Sequence, residues 1–162
     1  MTTTNAAQAT IEADPDVPLI RITRDFAGTP EQLFKAHTDP DLFARWVGPR
    51  NITTKIDYWD ARDGGSWRFL NIRGDEEYAF RGCFHTVAPA KIVQTFTFEG
   101  APEGVALETL TFEDLGDGRT RLVATSLVDS FEGRDAWLAS GMEVGVNDGY
   151  AKLDRLLAAG EV

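Results

Sequence analysis

Two histidines, one cysteine and a scatter of carboxylates are the side chains of this 162-residue chain that could do chemistry. His37 and His85 fall in different segments, and neither is flanked by a metal-ligand pattern. Cys83 sits between Gly82 and Phe84, and strand alternation sends its side chain to the face carrying His85. A Cys83–His85 dyad lacks a third group to orient the imidazole, so it is a weak nucleophile candidate. Asp57, Asp60, Glu76, Glu77, Glu99, Glu108 and Glu113 lie in or beside expected strands. A buried pair of them would suit acid–base work, but carboxylates in such positions are usually solvated. Asp63-Gly64-Gly65-Ser66 lacks the lysine and following helix of a phosphate loop and reads as a hairpin turn. No catalytic constellation emerges. The residues favour binding over catalysis and call for neither metal nor cofactor.

The apolar residues are more informative. Trp67 and Phe69 share one face of an expected strand, as do Tyr78, Phe80, Gly82 and Phe84 on the next. Gln94, Phe96 and Phe98 share a face on the one after. Gly141, Gly145 and Gly149 recur every four residues near the C-terminus and line one side of a helix there. Each interior glycine costs about 1 kcal/mol against alanine. Three of them imply close approach to that backbone, by the sheet first, then by a ligand or a second subunit.

The elements that carry these residues follow from periodicity and punctuation. Residues 1–16 are rich in Thr, Ala and Asn and read as a disordered tail, with one folded unit over residues 17–162. Val17 to Phe26 alternates apolar and polar residues and suits an edge strand. Thr29-Pro30 starts a helix presenting Leu33 and Phe34. Asp39-Pro40 starts a second, stopped by Gly48-Pro49. Strands follow near 52–60, 65–73, 77–87, 90–99, 105–114 and 119–128, separated by Gly, Pro and Asp turns short enough to make neighbours antiparallel. From Phe131 to Ala159 the period is helical, with Trp137, Leu138, Met142, Val146, Tyr150, Leu153 and Leu157 on one stripe. The expected fold class is α+β: a β-α-α-β6-α chain whose strongly curved antiparallel sheet wraps a long C-terminal helix.

Charge narrows the partners. With 26 acidic and 16 basic residues the chain carries a formal charge of −10. Such a surface repels phosphate backbones and anionic headgroups, so neither nucleic acid nor membrane is an expected partner. The start of the chain shows neither basic residues nor an apolar run, and one cysteine forms no internal disulfide; a cytoplasmic location is the expectation.

The ordered set of motifs resembles the SRPBCC superfamily, the START-like and birch-pollen-allergen-like helix-grip proteins. Within it the chain is most similar to the branch related to activators of the heat-shock protein 90 ATPase. The stretches that carry the likeness begin with Arg24-Asp25-Phe26, Thr29-Pro30-Glu31-Gln32-Leu33-Phe34, Thr38-Asp39-Pro40 and Trp46-Val47-Gly48-Pro49. They continue through Asp63-Gly64-Gly65-Ser66-Trp67-Arg68-Phe69, Arg81-Gly82-Cys83-Phe84 and Val87-Ala88-Pro89 to Gly141-Met142-Glu143-Val144-Gly145 and Leu153-Asp154-Arg155-Leu156-Leu157. The resemblance implies a helix-grip fold with a hydrophobic cavity between sheet and helix, used by relatives for lipids, sterols or polyketides, and by some for cyclisation or hydrolysis. Thr86 stands where the family often has Glu, and Phe84 where Tyr is common, which makes the implied cavity less polar.

The leading expectation is therefore a binder of a small apolar or aromatic molecule. Trp46, Trp67, Phe69, Tyr78, Phe80, Phe96, Met142 and Val146 are its expected lining, and Tyr78 or Gln94 would orient a polar end. A cyclase or hydrolase using the same cavity is the first alternative, with Tyr78, His85 or a carboxylate as acid–base group. An interaction module acting on a chaperone is the second, weakened because the separate chaperone-binding domain of the full activator has no counterpart in this sequence. A homodimer is the remaining partner reading.

Overall fold

Turn and cap residues divide the computed structural model, which describes residues 8–162, into eight strands and four helices. They run β1 (Thr10–Ala13), β2 (Leu19–Phe26), α1 (Pro30–Thr38), α2 (Pro40–Trp46), β3 (Thr53–Trp59) and β4 (Ser66–Arg73). Then come β5 (Glu76–Ala88), β6 (Lys91–Phe98), β7 (Ala106–Gly116), β8 (Arg119–Leu127), α3 (Phe131–Ala139) and α4 (Met142–Ala158). All strands join one antiparallel sheet in the order β1-β2-β8-β7-β6-β5-β4-β3, curled around the helices. This is the helix-grip α+β architecture expected from sequence.

The helix starts obey local chemistry. Thr29 and Gln32 form a reciprocal capping box: the Thr29 hydroxyl accepts from the Gln32 N–H at 3.2 Å, and the Gln32 side chain accepts from the Thr29 N–H at 2.9 Å. Asp39 caps α2 with its side chain alone, accepting from the N–H groups of Asp41 and Leu42. In β2, Ile20, Ile22, Arg24 and Phe26 are buried at every second position. Ile20, Ile22 and Phe26 meet Leu33, Leu153, Leu156 and Leu157 in the core between sheet and helices.

Three expectations about the elements are corrected. The tail over residues 1–16 is structured in part: Thr10–Ala13 pairs with β2 in register Thr10↔Thr23 to Ala13↔Ile20. Its remainder, residues 1–7, lies outside the described residues. As a result β2 is an interior strand between β1 and β8, not an edge. The C-terminal helical stretch is broken after Ser140, because Gly141 takes φ +86°, a left-handed conformation that glycine adopts without a Cβ clash. Two helices result, and α4 is the long one.

The glycine repeat also has a different neighbour from the one expected. Gly141 is the cap of α4, not part of its face. A Cβ at Gly149 would stand 3.0 Å from the Trp46 carbonyl, and one at Gly145 would touch Pro49 at 3.5 Å. The close approach is to the end of α2 and its following turn, not to the sheet. The packed turn becomes one wall of a cavity.

Candidate functional site

Sheet, α2 and the α3–α4 junction enclose a cavity of about 310 Å³, open on one side. Aromatic rings build most of it. Trp67 stacks on Phe69 at 5.4 Å, Phe69 on Phe80 at 5.2 Å, Phe80 leans on Phe96 at 5.5 Å, and Phe96 stacks on Trp137 of α3 at 5.9 Å. The ring chain therefore crosses from β4 to the helical layer. Trp46 and Trp59 are pinned from the opposite side, their indole N–H groups donating to the carbonyls of Ala36 at 2.9 Å and Thr38 at 2.8 Å. All four tryptophans of the chain line the cavity.

Eight of the nine expected site residues meet here: Trp46, Trp67, Phe69, Phe80, Gln94, Phe96, Met142 and Val146. Tyr78 does not. Its ring lies by the half-exposed Phe98, and its hydroxyl donates to Glu76 at 2.7 Å outside the cavity. His85 and Cys83 are both exposed, next to the irregularity that shifts β5 against β6, and take no part.

Sequence reasoning named Gln94 as a polar contact and Glu108 among several strand carboxylates, but did not bring them together or single out Ser126. On the concave face Gln94, Glu108 and Ser126 lie side by side on β6, β7 and β8, in direct cross-strand register. Gln94 Nε2 donates to Glu108 Oε1 at 3.0 Å, and Ser126 Oγ donates to Glu108 Oε2 at 2.9 Å. Burial pushes the Glu108 carboxyl above its ordinary range, against the opposing effect of these two hydrogen bonds. Glu108 on β7 gives the cavity a carboxyl that Thr86 does not supply. A signal did exist, since Glu108 shares its alternating face with Ala106, Leu110 and Phe112. A lone acid on an apolar face is the pattern of a buried polar group.

His37 and Tyr150 also border the cavity. His37 Nδ1 donates to the Leu33 carbonyl at 2.7 Å, which leaves Nε2 without its proton in the neutral ring. Burial lowers its pKa from 6.5 to about 4, outweighing that hydrogen bond, so the ring is neutral at physiological pH. Burial, reinforced by the Glu108 charge, raises the Tyr150 hydroxyl well above its ordinary value. Arg24, the cation on the same sheet face, is held by Asp154 through two bonds of 2.7 and 2.6 Å and lies over the Phe26 ring. The indole Nε1 of Trp67, buried against Gly82, finds no acceptor among the described residues. No group of His, Cys, Asp and Glu among the described residues could hold a metal ion.

A curled sheet gripping a long helix over an aromatic hollow defines a helix-grip protein of the SRPBCC type. Residues 27–158 match the family described as Activator of Hsp90 ATPase homolog 1-like protein, and the chain belongs to that family. Among solved structures it is similar to protein Ms6760 from Mycobacterium smegmatis, with 25% identity, 92% of this chain and 96% of that one covered, and a TM-score of 0.82. A protein from Rhodobacter sphaeroides is similar at 27% identity, 93% and 98% coverage and a TM-score of 0.82. DynU16, a protein of the dynemicin biosynthetic locus, shares the fold at 20% identity, with 90% of this chain and 49% of that one covered and a TM-score of 0.63. No curated protein matches the sequence. Among the described residues no helix is long and apolar enough to cross a membrane.

Proposed function

We propose that the chain binds one small, largely apolar molecule in the aromatic cavity between the sheet, α2 and α4. The observation that carries this reading is the open hollow of about 310 Å³ bordered by four tryptophans. Side chains that could have filled it stack on one another along the walls instead. Apolar burial then supplies the affinity, at about 25 cal/mol per Å² removed from water, less the cost of immobilising the guest. Glu108, Gln94 and Ser126 supply the polar contacts that orient it.

Titration with the neutral fluorophore N-phenyl-1-naphthylamine tests the reading. One saturable site per chain is expected, weakened in Phe80→Ala, which removes a ring from the middle of the wall. A signal that rises without saturating in the native protein contradicts it. A cytoplasmic location and action without nucleic acid or membrane accord with this reading.

A second reading rests on Glu108, His37 and Tyr150 bordering one cavity: an enzyme that moves a proton on the bound molecule. A carboxyl with a raised pKa suits general acid–base work. Exchange of the methyl protons of 2-acetonaphthone into heavy water, faster with the native chain than with Glu108→Gln, is the expected sign. Equal rates dispose of it.

A further inference from the structure

Among the described residues Glu108 places an acidic group on the wall of an aromatic cavity with no cation paired to it. Its oxygens accept one hydrogen bond each, from Gln94 and Ser126. A carboxylate has about four acceptor positions, so about half remain available. Among the described residues no Lys, Arg or His forms an ion pair with it. The cation on the same sheet face, Arg24, is committed to Asp154. His37, the basic residue among those lining the cavity, is neutral. Tyr150 completes the titratable set there and keeps its proton.

We propose that the ligand is an organic ammonium, a protonated amine on an aromatic or aliphatic body, whose charge is set against Glu108 and whose body lies among the rings. This deepens the cavity-binding reading and rests on it. Three features point the same way. Gln94 and Ser126 both donate to Glu108, which prepares it as an anion; an amine donates to the remaining positions, whereas an anionic ligand meets repulsion. The walls add the rings of Trp67 and Phe96, and aromatic π-systems attract a desolvated cation placed against them. The net charge of −10 raises the concentration of cations near the protein as a whole. Burial holds the Glu108 carboxyl above its ordinary range, and an ammonium entering the site supplies a countercharge that favours its anion.

The test compares three probes of one shape on the full chain by calorimetry near neutral pH: 1-naphthylmethylamine, 1-naphthylmethanol and 1-naphthoate. The amine is expected to bind about tenfold tighter than the alcohol, with the acid weakest. In Glu108→Gln the amine and alcohol are expected to bind alike. A carbon-detected NMR titration of the Glu108 carboxyl in the native chain gives a readout independent of any variant. The amine should lower its midpoint and the alcohol should not. An alcohol that binds as well as the amine, an amine preference that survives Glu108→Gln, or an unmoved carboxyl titration overturns the ammonium assignment while the cavity reading stands. Failure of all three probes to bind saturably overturns both.

Discussion

Acidification should unfold this protein partly through His37. The ring is buried at the cavity wall, its Nδ1 donates to the Leu33 carbonyl, and its centroid lies 4.9 Å from that of Trp46 and 5.3 Å from that of Phe112. Burial disfavours a charge there, so the folded-state pKa falls to about 4 from 6.5. A group with a depressed folded pKa is most stabilising above its unfolded pKa. As pH drops from 6.5 toward 4, the unfolded chain takes up a proton that the native state refuses, and stability is lost. At pH 5 the unfolded imidazole is almost fully protonated and the native one almost neutral. The gap of about 1.5 pH units between 6.5 and 5 corresponds to a loss of about 2 kcal/mol relative to neutral pH. Glu108 has the opposite slope: its raised pKa favours the fold at low pH and withdraws that support as pH rises. The measurement must therefore be a difference. Urea denaturation of the native chain and of His37→Phe at pH 7 and pH 5 isolates it. The variant loses the Leu33 hydrogen bond at both pH values, so only the His37 proton differs. The native chain should lose about 2 kcal/mol more than the variant over that interval. Parallel losses would refute the enclosure of the imidazole.

Two further substitutions probe the walls. Gly82→Ala places a Cβ 2.0 Å from the Thr95 carbonyl and 2.6 Å from the Trp67 ring, a clash with backbone that cannot be relieved by rotating a side chain. A loss of about 3 kcal/mol or more in chemical denaturation is expected, and a neutral result would show that β5 and β6 are spaced differently. Ala124→Leu adds three carbons to the cavity wall. Native or higher stability, by up to about 2 kcal/mol, should accompany at least a tenfold loss of fluorophore affinity. Native affinity with unchanged stability would place the fluorophore elsewhere.

The frame was legible because its signals are local. Capping at Thr29 and Asp39, the stop at Gly48-Pro49 and the turns between strands act within a few residues, and the alternation of Trp67, Phe69, Phe80 and Phe96 marks the concave face directly. The places that differed depend on partners distant in sequence. Thr10–Ala13 is polar enough to read as tail and becomes a strand because β2 offers it a free edge. The Ser140-Gly141 break interrupts an apolar stripe that continues on both sides of it, so periodicity alone runs the two helices together. Tyr78 shares a face with Phe80, yet it lies beside Phe98 and bonds Glu76 outside the lining, a placement that strand period alone does not give. Glu108 was visible as an acid among Ala106, Leu110 and Phe112; its pairing with Gln94 and Ser126 required the strand register.

The tryptophans allow the central claim to be read directly. Trp46, Trp59, Trp67 and Trp137 all border the cavity and are the only tryptophans in the chain. Their four indole N–H resonances can be followed by nitrogen-edited NMR as N-phenyl-1-naphthylamine is added. All four should move together, with one common affinity and one molecule bound per chain. Four unmoved indole signals, with shifts confined to exposed apolar residues such as Leu107 and Leu127, would place binding on the outer surface and contradict the account.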